Sequence, residues 1–407
     1  MATSTPNATF TFPANYFLNV GRKHFLFEGV ERGSGELVMT IAQGTNNLAE
    51  TSVFMDLRDV KEMYERWSVG EAGTVEPLST PFLAADGLPV GTSPFQYPHN
   101  STTDTNTPYI LHVHGWNMTT WSKNSYGETG FKRLYWQGYS GRYGIFRWPT
   151  YFNFPGLGFD LQAFDLNNYE KSEWQAWKSA TGLRTLLTNL NGLYPQRVRV
   201  TGHSMGNVVV GEALRISSNA PALAVVYAAL EAAIPSHCYD SGATNREIPW
   251  VLDNVTPNVY ASYWQAGNSN YFYGFQGADV YVNFFNARDY ALVKWELGQN
   301  LKPAQSMDYT YNAGLSKFYR GSTEMTFPAD RHEILSFCAE PRCYALGAQQ
   351  NVAWLFAPSM AVQVNLDIAP FNFGDEIPGH SGQFRFRIQT CWPFWDELLK
   401  ALELKSR

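Results

Sequence analysis

Charge is scarce in this 407-residue chain. Asp, Glu, Lys and Arg together make up 16 % of it, against roughly 25 % in typical soluble domains. With 44 % hydrophobic and 15 % aromatic residues, the composition excludes intrinsic disorder, which goes with low hydrophobicity and high charge. Dense lysine and arginine clusters are also missing, and the formal net charge is −6, so the electrostatic footprint of nucleic-acid binding is absent. No apolar run reaches the roughly 18 residues that a membrane-crossing helix needs. The opening Met1-Ala2-Thr3-Ser4-Thr5 lacks the basic and apolar regions of a secretory leader, and exported and cytoplasmic residence are left equally open. Cysteine is sparse, at four residues. Cys338 and Cys343 are near enough in sequence to pair, and fit equally well as two buried thiols on a helix.

What the chain does have is an organised rhythm. Residues 1–67 read as a β-rich extension, with short apolar runs at Phe25–Phe27, Leu37–Ile41 and Val53–Met55 separated by Gly, Ser and Asn; Asp59–Trp67 at its end reads as helical. Residues 68–107, rich in Pro, Thr, Gly and Ser without a period, read as a linker or long loop. From 108 to 407 strands and helices alternate. Strands are expected at Tyr109–Val113, Tyr143–Trp148, Arg197–Thr201, Ala222–Ala229, Val280–Phe285 and Ala361–Ile368, and helices at Phe131–Tyr139, Ser172–Leu190, Met205–Ile216, Ala329–Leu346 and from Trp392. Such alternation implies right-handed βαβ crossovers, hence an α/β fold with a mostly parallel, doubly wound sheet. An aromatic-rich insertion at about residues 240–276 breaks the rhythm. It emerges where the sheet binds ligands and is expected to form a cap, with Trp264 and Tyr271 lining a substrate pocket.

The motif that carries chemistry is Gly202-His203-Ser204-Met205-Gly206. An isolated serine hydroxyl is a poor nucleophile, and a sharp strand-to-helix turn exposes it beside a base and a helix N-terminus. Glycines two before and two after the serine let that turn approach its neighbours closely. Val198-Arg199-Val200 leads in as a buried strand, and Val208-Val209-Val210 with Ala213, Leu214 and Ile216 leads out as an apolar helix, which is the required context.

The motif and the order of elements resemble the α/β-hydrolase superfamily, most of all its esterases and lipases, over about residues 108–405. The resemblance implies a second motif after an early strand, and Leu111-His112-Val113-His114-Gly115-Trp116 fits it in the His-Gly-X form. Backbone N–H groups of Trp116 and Met205 would then hold a developing oxyanion, at roughly 3 kcal/mol per donor. His112 and His114, two apart on a strand, share a face and could ligate a metal, but no third ligand lies nearby in sequence; His114 is expected to brace the loop and no metal or cofactor is implied.

The same resemblance orders the remaining residues as an acid and then a histidine base. His332 sits in a helical pattern, Asp330-Arg331-His332-Glu333. His380 sits in Ile377-Pro378-Gly379-His380-Ser381-Gly382, a loop after the last strand, and is the expected base. Asp289 follows the strand ending at Phe285 and is the expected acid; Glu231, just past the preceding strand, is the alternative. The implied activity is hydrolysis of a small-molecule or lipid-like carboxylic ester through an acyl-enzyme. Other acyl hydrolases, acyltransferases and a non-catalytic binding module on the same fold remain open at this level.

Overall fold

Apolar runs punctuated by Gly and Asn make a long hairpin in the first part of the chain. Here β1 (Gly33–Gln43) pairs antiparallel with β2 (Asn46–Leu57), with Leu37 opposite Val53 and Met39 opposite Thr51. Gly44 takes the positive φ, 61°, that the connecting turn requires. The structure, a computed structural model, describes residues 33–57, 63–69, 107–150, 166–215, 222–234, 277–287, 289, 291–292, 345–348, 380–385 and 388–405, the backbone of the short strands named below, and isolated positions before residue 63. Met1–Met63 is one compact unit and Tyr64–Arg407 another.

The second unit is built on an eight-stranded sheet. In chain order its parts are β3 (Glu65–Ser68), β4 (Leu83–Ala84), β5 (Tyr109–Val113), α1 (Thr120–Trp136), β6 (Arg142–Arg147), α2 (Leu166–Leu193), β7 (Val198–His203), α3 (Gly206–Arg215), β8 (Ala224–Leu230) and β9 (Ala278–Phe285). A small antiparallel sheet of β10 (Tyr309–Asn312), β11 (Lys317–Arg320) and β12 (Thr323–Met325) follows, then β13 (Gln363–Asp367), α4 (Gly382–Arg385) and α5 (Ile388–Ala401). The main sheet runs β13-β9-β8-β7-β5-β6-β3-β4, with every pairing parallel except that of β4 at the edge. This is the mostly parallel α/β arrangement that the alternation predicts.

Helices cover both faces. Along β5, Tyr109, Leu111 and Val113 join a core with Leu183, Leu187 and Val209 of α2 and α3. His112 points the other way, its ring 5.3 Å from that of Phe384 in α4, as the two-residue period of a strand requires. Strands buried on both sides read as continuous apolar runs, and Val198–His203 and Tyr109–Val113 are buried throughout. The first helix starts earlier than its apolar residues suggest because Thr119 caps it, the side chain accepting from Ser122 N–H at 3.0 Å.

One expectation is corrected. The helix read over Asp59–Trp67 ends instead in strand β3, paired in parallel with β6. The alternating charged and aromatic residues look helical, yet they are buried in the sheet: Glu65 forms an ion pair with Arg142 and accepts from Tyr109 Oη at 2.6 Å, and Trp67 Nε1–H donates to that same hydroxyl at 3.0 Å. Tertiary pairing overrides local propensity here. Of the helix expected near Ala329–Leu346, residues 329–344 lie outside the described residues, as do Cys338 and Cys343, and Leu346 opens a short 3₁₀ turn, Leu346–Ala348. Cys391 is buried, and its thiol donates to Gly382 O at 3.4 Å.

With Arg142 and Glu65 exposed by only 2 % and 4 %, removing one partner leaves a charge with little access to water. Glu65→Leu is expected to cost about 3–5 kcal/mol in denaturant unfolding, and Glu65→Leu with Arg142→Met to recover most of it.

Candidate active site

The last residues of β7 run straight into a turn at Ser204, whose φ of 51° lies in the left-handed region. A non-glycine residue there is strained by about 1–3 kcal/mol. The surroundings hold it. Ser204 N–H donates to Leu230 O at 3.0 Å, and Ser204 O accepts from Ala233 N–H at 3.2 Å and from the Asn207 side-chain amide at 2.9 Å. Gly206 is required by its neighbours, since a Cβ there would sit 2.5 Å from His114 O and 2.6 Å from Val113 O. Gly115 presses on the same turn, its own absent Cβ falling 3.0 Å from Ser204 Cβ. The Ser204 side chain is only 8 % exposed.

His380 meets that serine from the far end of the sequence. Its Nε2 is 2.9 Å from Ser204 Oγ, and its Nδ1 is 2.6 Å from Asp289 Oδ2. Asp289 is fully buried, and its other oxygen accepts from the N–H groups of Ala291 and Leu292 at 2.9 and 3.2 Å. The carboxylate therefore fixes the imidazole with Nδ1–H toward itself and leaves Nε2 to accept from the hydroxyl. Such a chain can move a proton from Ser204 Oγ to His380. The three residues singled out by sequence are brought together, and His332 lies outside the described residues, as do Trp264 and Tyr271.

Glu231, the alternative acid, sits just past β8 at φ 44°, fully buried. Its Oε2 accepts from Gln383 Nε2 at 2.6 Å and lies 3.4 Å from His203 Nε2. Burial, and then the nearby Asp289 carboxylate, hold its carboxyl well above the usual carboxylate range. Neither His203 nor Gln383 is marked by sequence reasoning; the only available signal is that His203 immediately precedes the nucleophile candidate.

The loop after β5 carries Trp116, whose indole N–H donates to Ser172 Oγ at 2.9 Å, followed by Asn117 at φ 56°. Met205 is fully buried at the head of α3. His114 braces this loop as expected: its Nδ1–H donates to Gly115 O at 2.7 Å, its Nε2 accepts from Trp148 N–H at 3.2 Å, and its ring stacks on Trp148 at 5.3 Å. His112 Nδ1 pairs with Thr201 Oγ1 at 2.8 Å, and burial lowers its pKa to about 3. Both rings are thus engaged in loop and core bonding rather than arranged as ligands. Among the described residues, His203, Glu231 and His380 place potential metal-ligand atoms within 4.8 Å of one another. Those rings and that carboxyl already bond Gln383, Asp289, Ser204 and the His380 carbonyl, so an ion would have to break the chain just described.

No family model matches the chain, and no curated protein matches it. Among solved structures it is similar to TT1662 from Thermus thermophilus, with 9 % identity and a TM-score of 0.35, covering 74 % of this chain and 92 % of that one. Among the described residues no helix is long and apolar enough to cross a membrane.

One buried cation supports the loop. Lys123 of α1 is 2 % exposed and donates from Nζ to Trp148 O at 2.8 Å. Burial, aided by Arg147, lowers its pKa to about 7. Unfolded lysine titrates near 10.4, so between pH ~7 and ~10 the unfolded chain holds a proton that the folded chain lacks. Stability should therefore rise with pH across this window, by roughly 4 kcal/mol. Lys123→Met should abolish the rise and be more stable than the wild type at pH 7, as read from unfolding curves at pH 6, 8 and 10.

Proposed function

We propose that this chain is a serine hydrolase of the α/β-hydrolase fold that cleaves carboxylic esters through an acyl-enzyme. The observation that carries the reading is the continuous hydrogen-bond chain from Asp289 through His380 to Ser204, set on a strained turn between strand and helix. Three residues drawn from 204, 289 and 380 meet with the polarity that proton abstraction needs, and packing alone does not require that arrangement.

Ser204 Oγ attacks the ester carbonyl carbon as His380 Nε2 takes its proton. Asp289, accepting from Nδ1–H, stabilises the imidazolium. The backbone N–H groups of Trp116 and Met205 receive the negative oxygen; the closeness of Gly115 to Ser204 Cβ supports that role for the loop. His380 then protonates the departing alcohol, and a water molecule activated by the same imidazole releases the acid and restores Ser204. Every group in this sequence belongs to the chain itself. Carboxylic esters are favoured as substrate because the Gly202–Gly206 and His114–Trp116 motifs resemble those of esterases and lipases.

The test is a panel of p-nitrophenyl esters from acetate to palmitate, with a matched thioester and anilide, on the wild type and three variants. Ser204→Ala and His380→Ala should each lower kcat by about 10⁶ and Asp289→Asn by about 10⁴, with melting temperatures retained and losses that do not add. A fluorophosphonate probe should label the wild type and not Ser204→Ala. A wild type that neither labels nor turns over any ester overturns the reading, and an Asp289→Asn variant with full activity removes Asp289 from it.

A further inference from the structure

Behind the chain of Ser204, His380 and Asp289 lies a second set of buried polar side chains that the hydrolytic reading leaves idle. His203 is 3 % exposed, and Glu231 and Gln383 are fully buried. His203 Nε2 lies 2.6 Å from the main-chain carbonyl of His380 and 3.4 Å from Glu231 Oε2. The His380 carbonyl can only accept, so Nε2 must carry the proton and donate. Gln383, three residues beyond His380, donates from its side chain to that same Glu231 oxygen at 2.6 Å. The stretch bearing His380 is thus held at two points, its carbonyl at 380 and its side chain at 383, and both meet at Glu231.

We propose that His203, seated by Glu231, is a positioning residue for His380: its Nε2–H grips the His380 carbonyl and fixes the base against Ser204 and Asp289. This rests on the hydrolase reading above. Three features of the arrangement favour it. His203 is the residue before the nucleophile, so the clamp and the attacking hydroxyl share one rigid piece of backbone. The two imidazoles lie with ring centres 5.1 Å apart, close enough that a shift of one displaces the other. Glu231 Oε2 accepts from Gln383 and lies 3.4 Å from His203 Nε2, so one carboxyl oxygen faces both contacts, and burial pushes that carboxyl toward its neutral form.

His203 also packs edge-on against Phe384 at 5.2 Å, so the test separates packing from the N–H. His203→Phe keeps an aromatic ring and removes the donor; His203→Gln restores an N–H near the position of Nε2. The expected result is a loss of about 10- to 100-fold in kcat for His203→Phe, with KM within twofold and melting temperature little changed, and recovery to within about fivefold in His203→Gln. If His203→Phe does not fold, Gln383→Met removes the second anchor and should lower kcat by about 3- to 10-fold, again with KM held.

A second readout does not depend on turnover. In proton NMR the His380 Nδ1–H, identified by its absence in His380→Gln, should give a sharp downfield resonance in the wild type that broadens or shifts in His203→Phe. Wild-type kcat in a folded His203→Phe, or in Gln383→Met if that is the variant that folds, overturns the proposal while leaving the hydrolase reading standing. If the wild type turns over no ester, that reading fails, and the resonance then decides the clamp: a change in His203→Phe supports it, and an unaltered resonance overturns it.

Discussion

Ser204 can remain in a left-handed turn only because the end of the next strand receives its amide, and the same device is repeated across the sheet. The turn after β7 donates Ser204 N–H to Leu230 O, the last residue of β8; the turn after β8, at Glu231, again with positive φ, donates its N–H to Phe284 O in β9. The chain leaving β9 then donates Asn286 N–H to Gly347 O. The ends of β7 and β8 are each locked to the next strand and the end of β9 to the 3₁₀ turn, so the residues that project beyond these strands are fixed relative to one another to within hydrogen-bond tolerance. Backbone strain that would be lost in an isolated turn is retained because several contacts determine it at once. Parallel order is what makes this possible, since only parallel strands present all their C-terminal ends along one edge.

A chain with little charge nevertheless places several ionisable groups inside. Glu65 and Arg142 pair between adjacent strands of the sheet, and Lys123 donates to the Trp148 carbonyl. Near the candidate site, two buried carboxyl groups are neighbours. Asp289 accepts from two backbone N–H groups and from His380, whereas Glu231 rests mainly on Gln383 and is pushed toward its neutral form. Environment therefore assigns different duties to two chemically similar side chains. One bonds the imidazole of His380, and the other is pushed toward its neutral form beside Gln383.

How legible this was from sequence follows from the range of the interactions. Elements set by local pattern were readable: the strands at Tyr109, Val198 and Ala278 fall within about two residues of their observed bounds, and the helix read over Ser172–Leu190 lies inside the observed Leu166–Leu193. Ser204, Asp289 and His380, singled out on the motif and on the order that the resemblance implies, lie within hydrogen-bond distance of one another. The strand at Glu65–Ser68 was read as helix because its defining partners, Arg142 and Tyr109, are about forty and more residues away and leave no local trace. His203 and Gln383 escaped for the same reason. Their bonds run to residues 380 and 231, and nothing about a histidine before a serine, or a glutamine in a short helix, announces them.

His380 shows most clearly why long-range contacts have to finish what local pattern begins. α4, which follows His380, is four residues long, far too short to be stable from its own hydrogen bonds. It must be seated by side chains. Phe384 supplies most of the seat: its ring lies against those of His112, Tyr126, His203 and Trp395, with centroids 4.9–5.6 Å apart. Trp395 Nε1–H also donates to Gln383 O at 3.2 Å. His112, whose spacing from His114 first suggested a metal ligand, is thereby explained as a buried neutral ring whose aromatic surface receives Phe384. A side chain that must stay neutral to be buried is suited to that seat, because a charge there would demand water that the core excludes. The position of His380 thus depends on residues of β5, α1, β7 and α5, none of which lies next to it in sequence.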